Sequence, residues 1–193
     1  MESSINKNKA FTLVETLVSI TLFGMVSLIL INVFMTSIKT QSRILFSQEL
    51  IEQSSYALEY MGTKIRMAIA DDDTGACVGT QNVSYVTGDN SITFLAHDPV
   101  NDKYLCRKFF LENQSIKEMV STDKTSANFG SGSVITSPSF VVDKLNFVAT
   151  QPSSTHQPRV TIMIEASKIE QDGVATSKIT VQTTISKREL QLN

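Results

Sequence analysis

The chain has no tryptophan, two histidines and two cysteines among 193 residues. So sparse a set supplies no Cys/His spacing of the kind that holds zinc. His97 and His156 stand beside Asp98-Pro99 and Gln157-Pro158, polar surroundings that read as exposed loops. Neither belongs to a nucleophile–histidine–acid motif. No catalytic residue, metal or cofactor is expected, and the chain does not read as an enzyme. No run of Lys and Arg interleaves with aromatics, and the net charge is −2, so charge does not indicate a nucleic-acid surface. What is present is 41% hydrophobic and 19% charged, an ordinary mix that excludes disorder as a whole-chain description. The average hides an asymmetry. Apolar residues crowd the first 40 positions, and Ser, Thr, Asn and Asp crowd the rest.

Thr16 to Ser37 contains no charged residue. A helix of that length crosses a hydrocarbon core of about 30 Å. The flanks differ from those of an ordinary secretory signal, since no small-residue cleavage site closes the run. Lys39 and Arg43 follow it instead, so the segment reads as a retained anchor. Lys7 and Lys9 precede the run, and by charge the two flanks tie in setting orientation.

Glu15 interrupts the otherwise apolar start Phe11-Thr12-Leu13-Val14-Glu15-Thr16-Leu17-Val18. A carboxylate at a membrane helix end is a functional candidate and needs a cation. No Lys or Arg lies within a turn on its C-terminal side. A free amine on Phe11 is such a cation, and only cleavage creates it. The stretch Lys9-Ala10-Phe11-Thr12-Leu13-Val14-Glu15, between a basic leader and an uncharged helix, resembles the prepilin cleavage and methylation motif of type IV pilins and type II secretion pseudopilins. The resemblance implies cleavage by a prepilin peptidase between Ala10 and Phe11, N-methylation at Phe11, and Glu15 as the acidic partner of a neighbouring subunit's amine during assembly. The family usually has Gly before the cut, where this chain has Ala10. Gly24 resembles a helix-loosening glycine of pilins, and Asn32 stands where their downstream Pro falls.

The helix is expected to continue without Pro to Ala70. Ile44, Ile51, Leu58 and Ile65 recur every seven residues, with Met61 and Ala68 beside them, as one buried stripe. Asp71-Asp72-Asp73-Thr74-Gly75 then breaks it as a solvated turn. Beyond, the period becomes two, with strands expected at Ser91–Ala96, Lys103–Leu111, Phe140–Ala149, Arg159–Ala166 and Ile179–Ile185. Gly88-Asp89-Asn90 is a turn, and 122–133 and 150–158 are polar loops. The fold class is α+β, and the family implies a long N-terminal helix packed on a C-terminal antiparallel sheet. The expected divisions are a leader at 1–10, a transmembrane and filament-core helix at 11–38, an amphipathic helix at 39–70 and a β-rich domain at 71–193.

If the segment after the anchor is exported, Cys77 and Cys106 form a disulfide; otherwise they are two unpaired small core residues. Asp71 to Asp73 lack the spacing of a calcium loop. Asn82-Val83-Ser84 and Asn113-Gln114-Ser115 match the glycosylation pattern, which occurs often by chance. The resemblance implies a minor pilin or pseudopilin of a type IV pilus, type II secretion or competence filament. Its expected partners are the prepilin peptidase, other subunits met through the N-terminal helix, an inner-membrane assembly platform and membrane lipid. It is expected in a bacterial membrane with the C-terminal domain extracytoplasmic, at the cell surface or in a periplasmic filament after assembly. The alternatives are an anchored binding or adhesion module that does not polymerise, and an anchored exported enzyme.

Overall fold

The computed structural model describes residues 12–71, 76–150, 157–169 and 175–186. The chain divides into two compact units, Met1–Ile44 and Leu45–Asn193. One α-helix, α1 (Leu13–Arg66), runs without a break through Gly24 and Asn32. In the first unit its large apolar side chains are exposed.

In the second unit α1 packs against antiparallel β-sheet through Leu50, Ser54, Ala57, Leu58, Met61, Gly62 and Ile65. These positions advance by three and four residues, as a helix with about 3.6 residues per turn requires. The expected seven-residue stripe is corrected at its N-terminal end. Leu58 and Ile65 belong to the buried face, but Ile44 and Ile51 are half exposed, each at 52%, and Leu50 takes the place of Ile51. A strict seven-residue repeat drifts about 20° per heptad, which carries Ile51 to the edge of the face. The helix also ends at Arg66 rather than Ala70. Tyr85 Oη donates to Ile65 O at 3.1 Å, Met67 N–H closes a tight turn on Lys64 O, and the chain joins the sheet at once.

The strands are β1 (Ala68–Ile69), β2 (Val86–Gly88), β3 (Ser91–Asp98), β4 (Lys103–Glu112), β5 (Ser115–Val120), β6 (Ser133–Val134), β7 (Val141–Thr150), β8 (Arg159–Ile169) and β9 (Ala175–Ser186). They form two sheets. The first is ordered β1-β3-β4-β5-β6 with β2 also on β3, and the second β7-β8-β9. The five expected strands are present, each extended by a few residues or shifted by one. Four more, β1, β2, β5 and β6, lie outside the expected five, and the longest of these is β5. It follows the two-residue turn Asn113-Gln114, both with positive φ, the twist that joins adjacent antiparallel strands. The expected polar loop at 122–133 holds a short 3₁₀ turn, Ser126–Asn128, and its last residue opens β6. Most of the expected loop at 150–158, with His156, lies outside the described residues.

Alternation places Ile92, Phe94, Phe109 and Ile116 of the first sheet in one core with Leu145, Phe147, Ile162 and Ile164 of the second and with Leu50, Ala57, Met61 and Ile65 of the helix. Gly62 allows the close approach of β9, since a Cβ there would stand 3.0 Å from Ile185 Cδ1.

Candidate functional site

Thr12 stands immediately before α1, and its Oγ1 accepts the Glu15 N–H at 3.3 Å. Its carbonyl accepts the Thr16 N–H at 3.2 Å. Thr12 therefore caps the helix, and Thr-x-x-Glu has the spacing of a capping box. Glu15 falls in the exposed first turn, where the helix dipole favours a negative charge. Ala10 and Phe11 lie outside the described residues, as do Lys7 and Lys9.

The apolar stretch after Glu15 is the one segment of the described residues long and apolar enough to cross a membrane, and none of its apolar window is buried within the chain. Five of its polar side chains bond back to the helix itself. Thr16 Oγ1 donates to Leu13 O, Ser19 Oγ to Glu15 O, Thr21 Oγ1 to Val18 O, Asn32 Nδ2 to Leu28 O and Thr36 Oγ1 to Asn32 O, at 2.8–3.0 Å. Such internal pairing is what hydrocarbon demands of a hydroxyl or amide. A Cβ at Gly24 would meet nothing within 4 Å, so no contact within this chain requires glycine there.

In the second unit Cys77 and Cys106 are bonded, with Cα atoms 5.5 Å apart. With Val78 and Leu95 they form a small core of their own. Asp71 is corrected from a solvated turn residue to a buried one, 1% exposed, whose Oδ2 accepts the N–H groups of Cys77 and Val78 at 2.9 and 3.0 Å. Asp72 and Asp73 lie outside the described residues. His97 pairs with Asp102 at the β3–β4 turn. Among the described residues no group of three His, Cys, Asp or Glu is placed to hold a metal.

Sequence patterning missed one buried polar cluster. Glu118 of β5 accepts Arg107 Nη1 of β4 at Oε1 and the Tyr60 hydroxyl of α1 at Oε2, each at 2.7 Å. Three residues so far apart in sequence give no local signal. Burial, then the bond to Glu118, pushes the Tyr60 hydroxyl up to about 12, and burial does the same at Tyr85. An unfolded tyrosine ionises near 10. Between about pH 10 and 12 the unfolded chain therefore holds fewer protons than the folded one, and stability falls as pH rises. Urea midpoints are expected to drop across that window, and Tyr85→Phe to flatten part of the drop. An unchanged slope in Tyr85→Phe would refute the assignment.

Residues 5–31 match the model of a family described as the prokaryotic N-terminal methylation motif. No curated protein and no solved structure matches the chain. The matched segment contains Ala10, Phe11, Thr12 and Glu15 and more than half of the uncharged run. The chain thus carries a prepilin-type methylation motif on a pilin-like helix-and-sheet fold. The motif implies processing by a prepilin peptidase-like enzyme, and the single apolar helix near the start is consistent with a single-pass anchor.

Proposed function

We propose that the chain is a minor pilin or pseudopilin subunit of a type IV pilus, type II secretion or competence filament. Residues 1–10 are the leader, removed by prepilin peptidase between Ala10 and Phe11, and Phe11 is then N-methylated. Residues 11–38 anchor the subunit in the bacterial membrane and later form the filament core, with 39–193 extracytoplasmic. An inner-membrane platform moves the subunit from lipid into contact with its neighbours' helices. The observation that carries this reading is Glu15, an exposed acid in the first turn of an otherwise apolar helix and inside the matched motif. A neighbouring subunit's Phe11 amine supplies the charge it lacks, and the pair sets register as the helices come together.

Mass spectrometry of the mature N-terminus tests the proposal. Methylated Phe11 is the expected species. Intact Met1, or a cut after the apolar run, would overturn it. Glu15→Gln is expected to be cleaved and inserted normally while its incorporation into filaments falls at least tenfold. Undiminished incorporation would remove Glu15 from assembly.

A further inference from the structure

Most sheet edges among the described residues are short or covered. β1, β2 and β6 are two or three residues long and flank β3 and β5. β7 has a register shift between Val142 and Lys144, and its Val142 N–H donates to Gln114 O. β9 is different. It pairs with β8 along its length and has no neighbour on its other side among the described residues. Its register is unbroken from Ser177 to Ser186, it contains no proline, and its one charged residue is Lys178. Lys178 Nζ lies 3.2 Å from Glu165 of β8 and 3.7 Å from Asp143 of β7, so its charge is drawn across the sheet and away from the open edge. A register shift against β8 is confined to the start of the strand, between Ala175 and Ser177, and from Ser177 to Ser186 no bulge or proline of the kind that normally keeps an edge from pairing interrupts it.

From Ile179 to Ile185 the sequence is ITVQTTI, which reads almost the same in reverse. Val181 and Thr183, both β-branched and close in shape, are the single mismatch. Ile179, Val181, Thr183 and Ile185 turn toward the helix, and Thr180, Gln182 and Thr184 are exposed. An antiparallel copy centred on Gln182 sets Ile179 opposite Ile185, Val181 opposite Thr183, Thr180 opposite Thr184 and Lys178 opposite Ser186. β-branched residues meet on the inner face and no like charges meet on the outer. A groove of about 450 Å³ runs beside this stretch, walled by Leu58, Glu59, Gly62 and Arg66 of α1 and by Gln182 and Ile185. Its helix wall carries one acid and one base, so two copies bring no excess of either sign.

We propose that β9 is a self-pairing edge, through which two copies of this chain join antiparallel about a twofold at Gln182. Such an interface is isologous and closed. The twofold stands normal to the sheet and reverses the helix segment packed on it. The contact uses residues of the second unit alone and none of the N-terminal apolar segment. It does not rest on the proposed filament role.

The full chain in detergent micelles is expected to show a concentration-dependent monomer–dimer equilibrium by sedimentation. Gln182→Cys should cross-link into dimers under mild oxidation. Thr180→Cys and Thr184→Cys should each fail alone and cross-link when mixed, because each faces the other across the twofold. Combining Thr180→Lys with Thr184→Lys sets lysine against lysine and should weaken the dimer about tenfold or more. Its circular dichroism and the Cys77–Cys106 bond should be unchanged. A chain monomeric throughout the micromolar range overturns the proposal. So does Thr180→Cys cross-linking alone as readily as Gln182→Cys, or a dimer indifferent to the two lysines.

Discussion

Replacing Arg107 by Met is expected to remove about 3–5 kcal/mol of unfolding free energy, because it leaves a buried carboxylate without its cation. Glu118 is 5% exposed and Arg107 9%. The Tyr60 hydroxyl satisfies one oxygen of Glu118 but carries no charge, and the other oxygen loses the Arg107 guanidinium. The decisive comparison is the double variant Arg107→Met/Glu118→Gln. Glutamine keeps an acceptor for Tyr60 and removes the stranded charge, so the pair should be more stable than Arg107→Met alone. Urea unfolding in detergent, followed by near-ultraviolet dichroism, reads both. If the double variant is the less stable, the loss comes from packing of the arginine stem and not from charge.

Removing the Cys77–Cys106 bond is the other large change expected. The cysteines are 29 residues apart, and closing a loop of that size stabilises by about 3–4 kcal/mol on the chain-entropy account. The bond also holds the segment whose N–H groups surround Asp71, so two buried features loosen together. Cys77→Ala/Cys106→Ala should melt well below the parent, and parent protein unfolded and refolded in reductant should match the variant. Both sulfurs belong to buried residues, so reductant added to the folded chain should act only as fast as the chain opens. Equal melting of parent and variant would show that the loop is held by other contacts.

The features readable in the sequence were those written locally. An uncharged run of membrane length, a Thr-x-x-Glu start, and strands alternating in step with their burial, as in Val160, Ile162 and Ile164, need only their neighbours to be seen. What escaped depended on distant partners. β1 looks like the end of a helix until Ala96 and Leu95 are there to pair with it. Leu50 and Ile51 are equally apolar, and only the position of the sheets decides which is covered. Asp71 reads as solvated because the amides that surround it come from residues 77 and 78. β5 was hidden by its turn, since Asn113-Gln114 lacks the glycine that usually marks a two-residue hairpin. The N-terminal site was legible as a motif, and the structure adds its first turn. The pairing of Cys77 with Cys106 was conditional on export, and the fold brings the two together.

The back-bonded hydroxyls and amide of α1 have a consequence for the proposed exchange of lipid for protein around the helix. Thr16, Ser19, Thr21, Asn32 and Thr36 each carry their own acceptor one turn away. Replacing acyl chains by protein along their flank then breaks no hydrogen bond, and returning to lipid restores none. Such a helix is nearly indifferent to which oily neighbour it has, so in the proposed passage from lipid to filament the selection falls to shape and to the charge at Glu15.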